Sequence, residues 1–141
     1  MNDILYNLLT LGLGEQQYNY TLYNNSNLLV SIYLKILLIP FVFKLSYYLI
    51  LGKTSFFAKN SWYFIILFCS MITVYFSTYK SIDLFMYEID LDDTFHKSNY
   101  NTSAIIAVLY STLISVIITN IFMRLKIGVN NYNIPNFKST K

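Results

Sequence analysis

Three long apolar stretches constrain the fold of this chain more than any other feature of its sequence. They are predicted to be membrane-spanning helices at 28–51, 62–79 and 103–124. Each is close to the ~20 residues that cross a bilayer core as a helix. No charged residue occurs from 62 to 79 or from 104 to 123. The sequence therefore predicts an all-α integral membrane protein with three transmembrane helices.

The segments outside the spans are too short to form a separate soluble domain. Residues 3–13 place leucines and isoleucine on one helical face, which predicts a short interfacial helix. Residues 80–102 are predicted to form an acidic loop, and residues 125–141 a polar tail. Only 12% of the residues are charged, against about 25% in soluble domains. We therefore expect a single membrane domain over 1–141.

The charges between the spans sort by sign and predict an orientation. With three crossings, the N-terminal segment and the 80–102 loop lie on one side of the membrane. Those two segments hold every acidic residue of the chain. The opposite side holds six basic residues and no acid: Lys53, Lys59, Arg124, Lys126, Lys138 and Lys141. Because short basic loops stay on the side of synthesis, the N-terminus is expected outside and the C-terminus inside.

The first span differs from the others because it carries two lysines and a proline. Pro40 removes an amide hydrogen bond, so a kink is expected there. Lys35 and Lys44 lie nine residues apart, on opposite faces of the predicted helix. In one interpretation Lys35 relays protons or contacts an anion beside the kink. In the other, each lysine snorkels to its nearer surface or pairs with a partner's acid.

The third span carries a row of small side chains at every fourth position. We call this row the small-residue stripe; its members are Ser103, Ala107, Ser111, Ser115 and Thr119. Small residues at this spacing let helices approach closely in lipid, so the stripe is interpreted as a helix-packing seam. The alternative, a polar lining for water, requires more hydroxyls on neighbouring helices.

The acidic loop is the remaining candidate site. Glu88, Asp90, Asp92 and Asp93 are interpreted as a surface that docks on a basic partner. Asp90, Asp92 and Asp93 could instead hold a divalent cation together with His96, but the glycine and the final glutamate of an EF-hand loop are missing. His96 is the only histidine and Cys69 the only cysteine, and Cys69 is predicted to be a buried small hydrophobe. No catalytic, cofactor-binding or metal-binding set is predicted, and nucleic acid is not an expected partner.

The composition points to a source and a class of protein. The chain has 14 Tyr and 11 Phe but only 4 Gly, 2 Pro and 1 Trp, as an AT-rich coding sequence would produce. In composition, size and number of spans it resembles the hydrophobic, mitochondrially encoded subunits of protist respiratory-chain complexes. That resemblance implies a non-catalytic subunit of the mitochondrial inner membrane that packs against other subunits and lipids. Its N-terminus would face the intermembrane space and its C-terminus the matrix.

A small channel or transporter protomer is the alternative function. It requires an oligomer in which Lys35 or the small-residue stripe faces a pore.

Overall fold

Three long helices make up the described part of the protein. The computed structural model describes residues 26–50, 60–88 and 97–124, which form α1 (Ser26–Leu49), α2 (Asn60–Glu88) and α3 (Lys97–Arg124). Over these ranges there is no strand, and each helix is long and apolar enough to cross a membrane. A helix satisfies its backbone hydrogen bonds internally, as a segment in hydrocarbon requires. The prediction of an all-helical, three-span membrane protein is confirmed.

The three helices pack against one another in an up-down-up bundle. Near one end, Lys35 of α1 reaches Ser81 of α2. Near the other end, the rings of Tyr47 on α1 and Tyr63 on α2 lie 6.2 Å apart. Residues early in α1 therefore meet residues late in α2, so the two helices run antiparallel. The same reasoning makes α3 antiparallel to α2, because the Tyr63 hydroxyl lies 3.0 Å from that of Thr119.

The predicted acidic loop at 80–102 was wrong in its extent. Its first residues, up to Glu88, continue α2, and its last residues, from Lys97, begin α3. With 29 residues, α2 is about 43 Å long at 1.5 Å per residue. The bilayer core is only about 30 Å thick. Charge marks where a helix leaves the hydrocarbon, but it does not end the helix.

The longer α2 also changes which charges lie at membrane depth. Asp83 falls within the membrane-spanning candidate Ser61–Phe85. The sequence analysis placed Asp83 in the acidic loop, and that placement was wrong. The predicted interfacial helix at 3–13 and the polar tail at 125–141 lie outside the described residues.

The bundle is apolar on its outer surface and contains many polar side chains in its interior. Large side chains such as Phe68, Leu113 and Phe76 are more than 60% exposed. Among the described residues, seven that are polar or charged are buried: Lys44, Ser70, Thr78, Ser103, Ser111, Ser115 and Thr119. This distribution suits a bundle in lipid, where the outer surface need not be polar and small polar residues allow close helix contacts.

Each helix buries a row of side chains spaced four residues apart. On α3 the row is the small-residue stripe. On α2 the row consists of Ser70, Val74, Thr78 and Ile82, and on α1 of Ile32, Ile36, Pro40, Lys44 and Tyr48. Side chains four apart form a ridge along one face of a helix. The three ridges meet along the axis of the bundle, and Lys44 lies on one of them.

Candidate functional site

Lys44 is the most unusual side chain in the described structure because it is completely buried among three apolar helices. Its exposed fraction is 0%, and its Nζ has no hydrogen-bond partner within the described residues. Lys44 was interpreted as snorkelling to the inner surface or pairing with a partner's acid. Both interpretations were wrong for this residue, since the side chain points into the chain's own bundle.

An aromatic ring takes the place of a counter-ion at Lys44. Its Nζ lies 3.5 Å from the centroid of the Tyr63 ring. The negative face of an aromatic ring attracts a cation at this distance, and the attraction is strongest where water is excluded. We refer to Lys44, Tyr47, Tyr48, Tyr63 and Phe122 as the lysine–tyrosine cluster.

The rings of this cluster hold one another in place edge to face. Tyr47 and Tyr48 lie 5.5 Å apart, and Tyr48 and Phe122 5.6 Å apart, in edge-to-face geometry. Such pairs contribute about 0.5–1.5 kcal/mol each beyond the area that they bury. Because the rings come from α1, α2 and α3, the cluster joins all three helices at one end of the bundle.

A hydroxyl chain connects Tyr63 to α3. The Thr119 hydroxyl donates to the Ser115 carbonyl at 2.8 Å. Since it has a single proton, the 3.0 Å contact with Tyr63 must be donated by the tyrosine hydroxyl. These two hydrogen bonds hold the Tyr63 ring next to Lys44. Thr119 thus belongs both to the small-residue stripe and to the support of the lysine–tyrosine cluster.

Lys35 occupies a different environment near the other end of the bundle. It is partly buried, and its Nζ donates to the Ser81 hydroxyl, which in turn donates to the Ser77 carbonyl at 2.8 Å. Ser81 lies beyond the end that the sequence predicted for the second span. Because that boundary was wrong, the sequence analysis did not identify Ser81 as the polar partner of Lys35.

Except for Thr119, the other residues singled out from the sequence lie apart from the contacts of the two lysines or outside the described structure. All five members of the small-residue stripe are buried, with at most 3% exposure. Pro40 is buried within a helix that continues through it. Cys69 is exposed on α2, so its expected burial was wrong. Asp90, Asp92, Asp93 and His96 lie outside the described residues, and for Glu88 only the backbone is described.

The sequence analysis missed the lysine–tyrosine cluster, although part of its signal was present. Tyr47 and Tyr48 follow Lys44 by three and four residues, which places all three on one face of a helix. Lys44 also continues the four-residue row of Ile32, Ile36 and Pro40. The approach of Tyr63 from another helix had no local signal.

The described residues contain no group of three His, Cys, Asp or Glu side chains that could hold a metal ion. The arrangement holds two ammonium groups at membrane depth. Aromatic rings enclose that of Lys44, and Lys35 lines an open groove between α1 and α2.

No protein-family model, no curated protein and no solved structure matches this chain.

Proposed function

We propose that this protein is a non-catalytic structural subunit of a multisubunit membrane complex. The observation that carries the proposal is the distribution of polarity in the bundle. Six small polar side chains of the described residues are buried between the protein's own helices, whereas the outer faces present large apolar side chains. Such a unit acts through its outer surface, by packing against neighbouring helices and lipid.

Two apolar grooves on that surface suit side chains of neighbouring helices. One, between α1 and α3, encloses about 380 Å³ and is lined by residues that include Leu37, Phe41 and Ile121. The other, between α2 and α3, encloses about 250 Å³ beside Phe68 and Leu109. Grooves of this kind accept the knobs of another helix, which is how a small subunit bridges its neighbours.

The composition supports a mitochondrial inner-membrane respiratory complex as the assembly. In that setting the N-terminal segment, with its interfacial helix at 3–13, faces the intermembrane space and the C-terminus faces the matrix. The acidic segment with Asp90, Asp92 and Asp93 then provides a docking surface for a basic neighbour.

The test identifies the proteins that associate with this chain in its native membrane. Membranes are solubilised in mild detergent, separated on a native gel, and the band that contains this chain is analysed by mass spectrometry. Co-migration with respiratory subunits at high mass is expected. Migration as a free monomer or small homo-oligomer would refute the proposal.

A site-specific crosslink makes the same test at residue level. A photoreactive residue replaces Leu113, which is 62% exposed, and in a second variant it replaces Ala107, which is 0% exposed. Crosslinks to other subunits are expected from position 113. Position 107 is the matched control on the same helix and should react only within this chain.

The channel alternative is less well supported in the form that uses the small-residue stripe. Those five side chains are occupied by contacts inside a single bundle, so they are not available to line a pore between copies. Lys35 is the residue left for a transport role. Ion flux through the reconstituted protein that Lys35→Ala abolishes, with assembly unchanged, would favour transport.

A further inference from the structure

A groove between α1 and α2 combines a cationic end with an apolar end. It encloses about 570 Å³ and opens on the outer surface of the bundle. Asn27, Ser31 and Lys35 line it from α1, spaced four residues apart and so on one face of the helix. Farther along α1, Leu38 and Ile39 continue the lining. Its deeper end is lined mainly by aliphatic side chains, with Ser77 of α2 as the polar exception.

The ammonium of Lys35 is held partway towards the surface. The Lys35 backbone lies eight residues from Asn27, where the candidate span begins, or roughly 12 Å along the helix. Its partner Ser81 lies four residues from Phe85, where the span of α2 ends, or roughly 6 Å. The side chain therefore reaches towards the headgroups, as a lysine near a helix end does.

Lys35 retains donors for a further acceptor. An ammonium has three N–H donors, and one of them is given to Ser81. Lys35 forms no ion pair with any side chain of the described residues, although Asp83 lies only two residues beyond Ser81. Because Lys35 lines the open groove, two donors and a positive charge lie beside it at membrane depth, where an unpaired charge is costly.

We propose that this groove binds one anionic phospholipid. The phosphate oxygens accept hydrogen bonds from Lys35 Nζ and from the polar groups of Ser31 and Asn27, and an acyl chain lies along Leu34 and Leu38. Three of the four polar lining residues lie towards the surface, and Leu38 and Ile39 lie deeper, which matches the order of headgroup and chain in a lipid. The groove extends from Asn27 to Ile39, roughly 18 Å along the helix, and one leaflet's hydrocarbon is about 15 Å thick.

A carboxylate on a neighbouring helix is the competing occupant, and the groove favours lipid over it. A partner helix would bury the aliphatic residues along its whole length and would need only one acceptor. The groove instead brings Asn27, Ser31 and Lys35 together on one face of α1 in its outer part, and a phosphate has several oxygens to satisfy.

The first test measures lipid preference by native mass spectrometry. The detergent-solubilised full-length protein is titrated with phosphatidylglycerol or with phosphatidylcholine of the same acyl chains. We expect at least one phosphatidylglycerol to be retained in preference to phosphatidylcholine. Since one basic residue near a headgroup contributes about a fivefold change in affinity, Lys35→Gln should lower this preference about fivefold.

Matched variants separate a built site from general attraction. Lys80 is exposed on α2, next to Ser81 but outside the groove lining, so Lys80→Gln should leave the preference unchanged. Ser31→Leu fills the groove without removing charge and should lower the preference. Equal loss in the two lysine variants would overturn the proposal, as would an unchanged preference in Lys35→Gln. Far-ultraviolet circular dichroism establishes that each variant is folded.

The second test addresses the competing occupant in the native membrane. A photoreactive residue at Leu34, which is 49% exposed beside the groove, should give a phospholipid adduct. A crosslink from this position to another protein, in place of lipid, would overturn the proposal. This result is independent of the proposed function, which the native gel tests on the whole complex.

Discussion

The buried lysine permits a quantitative test of how this bundle tolerates a charge without a counter-ion. Placing Lys in the centre of a membrane helix costs roughly 2.5–3.5 kcal/mol on insertion scales, which is the upper limit for Lys44, five residues from the end of its span. A cation held over an aromatic face in a water-free site gains about 2 kcal/mol or more. The Nζ of Lys44 lies 3.5 Å from the Tyr63 centroid and is fully buried. The ring should therefore offset most, though not all, of the cost.

Three variants turn this reasoning into measurements. Lys44→Met removes the charge but keeps a long flexible side chain, so the free energy of unfolding should rise by about 1 kcal/mol, the part that the ring leaves uncompensated. Tyr63→Leu leaves the Lys44 ammonium without its ring and should lower the free energy of unfolding by about 2 kcal/mol. The lost hydrogen bond to Thr119 should lower it by about 0.6 kcal/mol more. In the double variant the gain of about 1 kcal/mol and only the second loss of about 0.6 kcal/mol remain, so its free energy of unfolding should lie about 0.4 kcal/mol above that of the unsubstituted protein. The coupling between the two sites should be about 2 kcal/mol.

The assay is reversible unfolding in mixed micelles by titration with dodecyl sulfate. Trp62 is the only tryptophan and packs partly buried against the lysine–tyrosine cluster, so its fluorescence reports on this end of the bundle. Lys35→Met combined with Tyr63→Leu is the control pair, because Lys35 contacts Ser81 near the opposite end. The effects of these two substitutions on the free energy of unfolding should be additive. A coupling below about 0.5 kcal/mol between Lys44 and Tyr63 would refute the cation–π account.

Two further predictions concern packing and orientation. Ser111→Leu should lower the free energy of unfolding by about 1–3 kcal/mol, since Ser111 is 1% exposed and the added volume forces the helices apart. Val116→Leu, at a position 48% exposed, is its control and should have no effect in the same titration. In a Cys69→Ala background, an impermeant maleimide should label Ser98→Cys from the outer side and Ser55→Cys only after permeabilisation. The reverse pattern would contradict the orientation inferred from the charges.

The sequence was sufficient for the spans because their signal is local. A run of apolar residues long enough to cross a bilayer leaves the chain few alternatives to a helix. The helix ends were predicted less well. Lys80 and Asp83 were taken as the start of a loop, yet α2 continues to Glu88. Nothing in these residues breaks a helix, because the stretch after Lys80 contains neither glycine nor proline.

The small-residue stripe could be found because its signal is periodic within one helix. The faces that it meets were harder to find, because Ser70 and Thr78 of α2 are separated by eight residues and share their row with Val74. A row that mixes hydroxyls with aliphatic residues does not stand out by composition. It becomes visible only when burial is known, since every member is then at most 1% exposed.

The two lysines show why depth in the membrane is an incomplete guide to the environment of a charge. Lys35 lies eight residues from Asn27 and Lys44 five residues from Leu49, the two ends of one span, so depth alone predicts that each reaches its nearer surface. Lys44 falls on the buried four-residue row of α1, whereas Lys35 is nine residues away and falls off that row. Position around the helix therefore decides which lysine enters the bundle and which reaches a surface groove. Burial of Lys44 without an acid is then tolerable because a tyrosine ring attracts the ammonium and has no net charge to desolvate.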